Sequence, residues 1–133
     1  MFTHVLSVVA AALAMFALGS VWYSPLLFAA LWAREAGVNA QTKPDRNGML
    51  RMFGGTGLML LLSAGVLDCI LANWSPGQGM LHGLAIGFLG GLLAAATTAI
   101  HYLFEKKSPK LFLINAGYDV LGFCLMGLVL SFF

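Results

Sequence analysis

Apolar residues in this chain gather into four long runs separated by short polar breaks. The runs extend from about Val5 to Tyr23, Met52 to Ala72, Met80 to Phe104 and Leu111 to Phe133. Each is close to the ~20 residues that an α-helix needs to cross a bilayer. None alternates with a period of two, so they read as helices rather than strands. A helix also satisfies its own backbone polar groups, which a lipid environment demands. The breaks are polar or contain proline: Lys43-Pro44-Asp45-Arg46-Asn47-Gly48 reads as a loop, Ser75-Pro76-Gly77-Gln78-Gly79 as a tight turn, and Glu105 to Lys110 as a charged hairpin around Pro109. The pattern predicts an all-α fold, a polytopic membrane bundle of four transmembrane helices. It forms a single domain over residues 1–133, and its short connections make sequential spans antiparallel neighbours.

The first run is longer than one span requires. Its apolar character continues past Pro25 through Leu26-Leu27-Phe28 to Trp32. A straight helix from Val5 to Ala33 would be about 43 Å long at ~1.5 Å per residue, against a hydrocarbon core of ~30 Å. The helix is therefore expected to tilt, to kink at Pro25 or to turn along the interface. Trp32, Arg34 and Glu35 suit an interfacial end.

Composition agrees with this pattern. Hydrophobic residues make up 60% of the chain and charged residues 9%, with a mean hydropathy of +0.90. A soluble domain carries about 25% charged residues, so this chain lacks the polar surface to wrap a water-soluble core. No Lys/Arg-rich run exists, which removes the electrostatic footprint of a nucleic-acid binder. Cys69 and Cys124 fit no metal or redox spacing and read as small apolar side chains. No Lys or Arg precedes Arg34, so the first run lacks the basic start of a signal peptide and reads as a retained span.

Charge placement predicts orientation. All seven Lys/Arg residues lie at two connections: Arg34, Lys43, Arg46 and Arg51 at the first, Lys106, Lys107 and Lys110 at the third. By the positive-inside rule, loops 34–51 and 105–110 are expected in the cytoplasm and both termini outside, in an inner (plasma) membrane. The lysines then serve as topology determinants.

The last span holds the candidate chemistry. Asp119 is an ionisable carboxylate inside an apolar run, which is costly and by default marks a functional site. If Glu105 and Leu111 are level across the hairpin, His101 is level with Asn115 and Thr97 with Asp119. Asp119 then lies about 12 Å below Leu111. A polar intramembrane site of Tyr23, Ser24, Thr97, His101, Asn115, Tyr118 and Asp119 follows as a geometric possibility. In the functional reading, Asp119 binds and releases a proton or cation and His101 relays it. In the structural reading, Asn115 and Asp119 only hydrogen-bond neighbouring helices, at about 0.6 kcal/mol per bond. A second feature is the ridge Gly83, Gly87, Gly91 and Ala95, continued by Ala99, which lets helix backbones approach closely. Gly54, Gly55 and Gly57 offer a further place for such an approach. On the outer side lie Asp68, Asn73, Trp74 and His82. A metal site of Asp68, Cys69 and His82 matches no ligand spacing, so no metal, cofactor or catalytic set is expected. Trp22, Tyr23, Trp32 and Trp74 suit an aromatic belt.

Two segments carry a family resemblance. Gly19-Ser20-Val21-Trp22-Tyr23-Ser24-Pro25-Leu26-Leu27-Phe28 with Trp32, and Phe104-Glu105-Lys106-Lys107 followed by Leu111-Phe112-Leu113-Ile114-Asn115-Ala116-Gly117-Tyr118, with Gly127 near the end, resemble the first-helix and last-helix signatures of a bacterial family. It is the domain-of-unknown-function family numbered 1761. The resemblance implies a four-span inner-membrane protein and brings no activity. It directs attention to Asn115 and Tyr118 more than to Asp119. The leading expectation is a small oligomeric transport-like or channel-like protein with its polar site in the cytoplasmic half. Oligomerisation enters because four helices leave little room for an internal pathway. The alternative is a structural or accessory subunit packing within a larger membrane complex; a lipid-directed enzyme comes third. Expected partners are the lipid bilayer and either further copies of the chain or another membrane subunit, with the substrate class left open.

Overall fold

The computed structural model describes residues 1–38, 43–74 and 78–133. Among these residues there are five helices: α1 (Phe2–Trp22), α2 (Ala29–Ala36), α3 (Arg46–Trp74), α4 (Met80–Glu105) and α5 (Pro109–Leu130). Among the described residues there is no strand. Helices α1, α3, α4 and α5, with 21, 29, 26 and 22 residues, are long and apolar enough to cross a membrane. Of the tight turn expected at Ser75-Pro76-Gly77-Gln78-Gly79, the first three residues lie outside the described residues, and Gly79 caps the start of α4.

The long first run is divided at Pro25. Proline has no N–H to donate and its ring opposes a continuous helix. The chain leaves α1 at Tyr23, and the Phe28 and Ala29 amides donate back to the Trp22 and Ser24 carbonyls, both at 3.2 Å. An eight-residue helix, α2, follows and stops at Gly37, whose φ of 71° is left-handed. The run thus resolves into a span and a second, short helix that folds back against α5.

Two connections are set by capping side chains. Asp45 accepts from the Gly48 amide through Oδ1 at 2.8 Å. This N-terminal cap carries Arg46, Asn47 and Gly48 into α3, although their composition reads as loop. At the other hairpin, α4 ends with Lys106 at φ 56°. Ser108 then accepts from the Leu111 amide at 3.0 Å, and Pro109 takes the first helical position, where its missing N–H costs nothing. Lys107 pairs with Glu105 at 3.0 Å and stands 4.9 Å from the centre of the Tyr102 ring. The hydrogen bond to Glu105 holds the Lys107 ammonium above its ordinary pKa.

The spans pack in the order α3, α1, α5, α4, and α3 meets α4 only slightly. The tightest seam joins α4 to α5. Gly83, Gly87, Gly91 and Ala95 form the buried face of α4. A methyl group added at Gly83 would strike the Gly127 carbonyl and the Ser131 hydroxyl; at Gly87 it would strike the Phe123 carbonyl; at Gly91 it would lie 2.7 Å from the Val120 Cα. Backbone therefore touches backbone along this seam, the close packing that small residues permit in lipid. Gly54, Gly55 and Gly57 differ: among the described residues nothing lies within 4 Å of a methyl placed there, so they make no close approach to them. The core comprises Ala11, Ala12 and Met15 from α1, Leu60, Ala64 and Leu67 from α3, and Met126 and Leu130 from α5. Large apolar side chains such as Leu13, Leu62, Leu93 and Leu113 lie exposed on the outer faces, where lipid is the natural solvent.

Candidate functional site

Polar side chains concentrate at the two ends of the bundle. His4 and Tyr23 mark these ends on α1, about 28 Å apart at ~1.5 Å per residue.

The first cluster lies where α1 and α4 end and α5 begins, beside the cationic connections. The Tyr23 hydroxyl donates to Asn115 Oδ1 at 2.6 Å, and Asn115 Nδ2 donates to the Tyr102 hydroxyl. One amide thus ties α1, α4 and α5 together. The Tyr118 hydroxyl donates to the Met15 carbonyl at 3.2 Å, and Trp22 Nε1 donates to the Ile114 carbonyl at 2.9 Å. Glycines make these contacts possible. A methyl at Gly19 would lie 3.0 Å from the Tyr118 hydroxyl, and one at Gly117 would lie 3.0 Å from the Trp22 ring. The rings also meet edge to face: Tyr23 with Tyr118 at 5.5 Å and Tyr23 with Trp32 at 6.0 Å between centroids.

Asp119 stands at the margin of this network. It is half-buried and within electrostatic range of the Tyr23 and Tyr118 hydroxyls. Among the described residues its carboxylate accepts no hydrogen bond. Asn115, one helical turn away, has its amide oxygen and nitrogen both engaged.

The structure brings Tyr23, Asn115, Tyr118 and Asp119 to one place and leaves three of the sequence candidates elsewhere. Ser24 donates to the Val21 carbonyl behind it at 2.6 Å. Thr97 donates to the Leu93 carbonyl of its own helix and is exposed, and His101 is exposed. Rotation about the α4 axis explains this. Levelling two antiparallel helices fixes height but not facing. From Ala95 on the buried ridge, Thr97 lies about 200° around the helix and His101 about 240°. Tyr102, seven residues on, returns to within about 20° of the ridge. Tyr102 is the residue that sequence reading missed, and extending the glycine ridge by one heptad finds it.

The second cluster lies at the opposite end. His4 Nδ1 is 2.9 Å from Asp68 Oδ2. The Ser7 hydroxyl, buried at 1% exposure, donates to the His4 carbonyl at 2.9 Å and lies 3.5 Å from Asp68 Oδ1. These residues, with His82, Leu130 and Phe132, line an open cavity of about 590 Å³. His4 is a second residue that sequence reading passed over. Its signal is Ser7, one turn later on the same face of α1, with antiparallel α3 bringing Asp68 level with both. Cys69 instead turns toward Asn73, whose Nδ2 is 3.4 Å from its sulfur. Among the described residues no three His, Cys, Asp or Glu side chains group closely enough to hold a metal ion.

Between the two clusters the α1–α5 seam is apolar and closely packed. Met126 and Ala11, with Ala64 of α3, are fully buried, and Met15 fills the space opposite Gly122.

A family model described as "Protein of unknown function (DUF1761)" matches residues 6–131. The chain belongs to that family. No curated protein and no solved structure matches it.

Proposed function

We propose that this DUF1761 protein handles a proton or a small cation through Asp119 and works as an oligomeric, transport-like membrane protein. The observation that carries this reading is the contrast between two neighbours on α5. Polar residues that merely join helices are expected to be engaged by other helices. Asn115 is engaged in this way, whereas Asp119, the costlier group to place in a span, accepts no hydrogen bond among the described residues. A carboxylate kept in an apolar segment without a fixed partner is free to take a mobile one. The hydroxyls of Tyr23 and Tyr118 supply a polar, aromatic surround for it, and aromatic faces are favourable to cations.

In this reading Asp119 exchanges its ion with the end bearing the seven cationic residues. The positive-inside rule makes that end cytoplasmic, in a bacterial plasma membrane with both termini outside. Passage onward requires Met15 and Met126 to move, and unbranched methionines are the apolar side chains best able to do so. The alternative is a passage formed between subunits. Reconstitution into liposomes tests the proposal: flux of protons or monovalent cations has to depend on the Asp119 carboxylate.

One observation favours a second reading, an accessory subunit of a larger membrane assembly. Four of the five glycines of α3, Gly54, Gly55, Gly57 and Gly65, meet nothing within 4 Å among the described residues, as a helix would if another chain packed there.

A further inference from the structure

We propose that the cavity at the His4–Asp68 end is a binding site for a small organic ammonium, with Asp68 as its counter-ion and Leu71, Leu130 and Phe132 against its apolar body. This site is separate from Asp119, at the other end of the bundle, and does not rest on the function proposed above.

Three observations select the ligand class. The first is size. A cavity of about 590 Å³ falls within the roughly 300–1,000 Å³ of small-molecule sites, and its wall joins polar side chains, Asp68 among them, to the apolar ones of Leu71, Leu130 and Phe132. The second is charge. Asp68 contributes the carboxylate to the wall, while every Lys and Arg lies at the opposite end. Helices α1 and α5 reach the cavity with the ends farthest from those cations. An anionic ligand would meet Asp68 with no Lys or Arg to offset it, only the His4 and His82 imidazoles. A neutral ligand would gain nothing from the charge. An ammonium gains both a hydrogen bond and an opposite charge in partly desolvated surroundings. The third is unused capacity. A carboxylate offers about four lone-pair directions. His4 occupies one oxygen of Asp68 at 2.9 Å, and at the other oxygen Ser7 stands no nearer than 3.5 Å. The Asp68 side chain retains 18% of its exposure and His4 60%, so the pair opens to the cavity rather than being sealed behind it. His4 therefore acts as a resident partner that an incoming ammonium displaces or joins.

The ammonium has two natural sources, a free amine or the headgroup of an ethanolamine lipid, since the cavity opens at the level where α3 and α5 end. The test uses the full chain in nanodiscs of phosphatidylglycerol, with three isosteric probes: 2-phenylethylamine, 2-phenylethanol and phenylacetate. Titration calorimetry is expected to detect the amine and neither of the others. Asp68→Asn should weaken amine binding roughly tenfold or more, as loss of a partly desolvated charge partner does. His4→Ala, which frees the carboxylate without removing it, should retain or tighten binding and guards against an Asp68 variant that fails to fold. Asp119→Asn should leave binding unchanged. In nanodiscs containing phosphatidylethanolamine, a weaker apparent affinity for the amine identifies the lipid headgroup as the source, and an equal affinity identifies a free amine. Equal binding of amine and alcohol, or wild-type affinity in a folded Asp68→Asn protein, overturns the proposal.

Discussion

Asn115 uses its carbonyl for Tyr23 and its amide for Tyr102, so a single side chain fixes the ends of α1 and α4 against the start of α5. Replacing it with alanine leaves two half-buried hydroxyls without partners. The cost of an unsatisfied group is about 1–3 kcal/mol, so Asn115→Ala should lower stability by an amount in that range. Thermal unfolding in a mild detergent checks this, and an unchanged midpoint would show that the amide is not a structural tie. Asn115, Tyr118 and Asp119 were legible in the sequence because a polar residue stands out in an apolar run. Tyr102 and His4 were not. A tyrosine near a span end looks like one more member of an aromatic belt, and a histidine four residues from the start looks like an interfacial side chain. Their partners, Asn115 and Asp68, lie 13 and 64 positions away, so only packing reveals them.

Helix existence was written in the four apolar runs, since length and hydropathy alone decide which segments suit a bilayer. Local chemistry then adjusted the ends. Pro25 divided the first run, and Asp45 drew three loop-like residues into α3. Rotation of each helix about its own axis was harder to read. The glycine ridge of α4 is the exception, because a four-residue repeat of small side chains marks one face. That face meets α5 with backbone atoms in contact, so Gly87→Leu should prevent the seam from closing. The expected loss exceeds the ~1–3 kcal/mol typical of overpacking, because the obstacle is the Phe123 backbone rather than a flexible side chain. A Gly87→Leu protein that unfolds like the wild type would show that α4 and α5 do not meet along this face.

Across the whole molecule, polar groups stand at both ends and a buried apolar seam of Ala11, Ala12, Met15 and Met126 lies between them. The glycines divide by location. Those of α4 are spent inside the chain, whereas Gly54, Gly55, Gly57 and Gly65 of α3 meet open space among the described residues. The two sets therefore make opposite predictions. Gly54→Leu, at an exposed position of α3, should leave the stability within about 0.5 kcal/mol of wild type, as surface changes usually do, and should reduce any self-association or co-purification through α3. Light scattering in mild detergent checks this. A Gly54→Leu protein with wild-type assembly and stability would remove α3 as an interface. Which helices neighbour which was only partly legible: short connections imply sequential neighbours, which holds for α1 with α3 and for α4 with α5, whereas α3 barely meets α4.

The central claim is that Asp119 exchanges an ion in the membrane. Its most direct measurement is flux into liposomes that contain the purified protein and a trapped pH-sensitive dye, with imposed gradients of protons and of potassium. Wild-type protein should dissipate at least one of these gradients faster than empty liposomes. Asp119→Asn, which keeps size and polarity but removes the exchangeable charge, should return the rate to that of empty liposomes. Asp119→Glu should retain part of it. Flux in Asp119→Asn equal to wild type, or wild-type liposomes no faster than empty ones for either ion, would contradict the account.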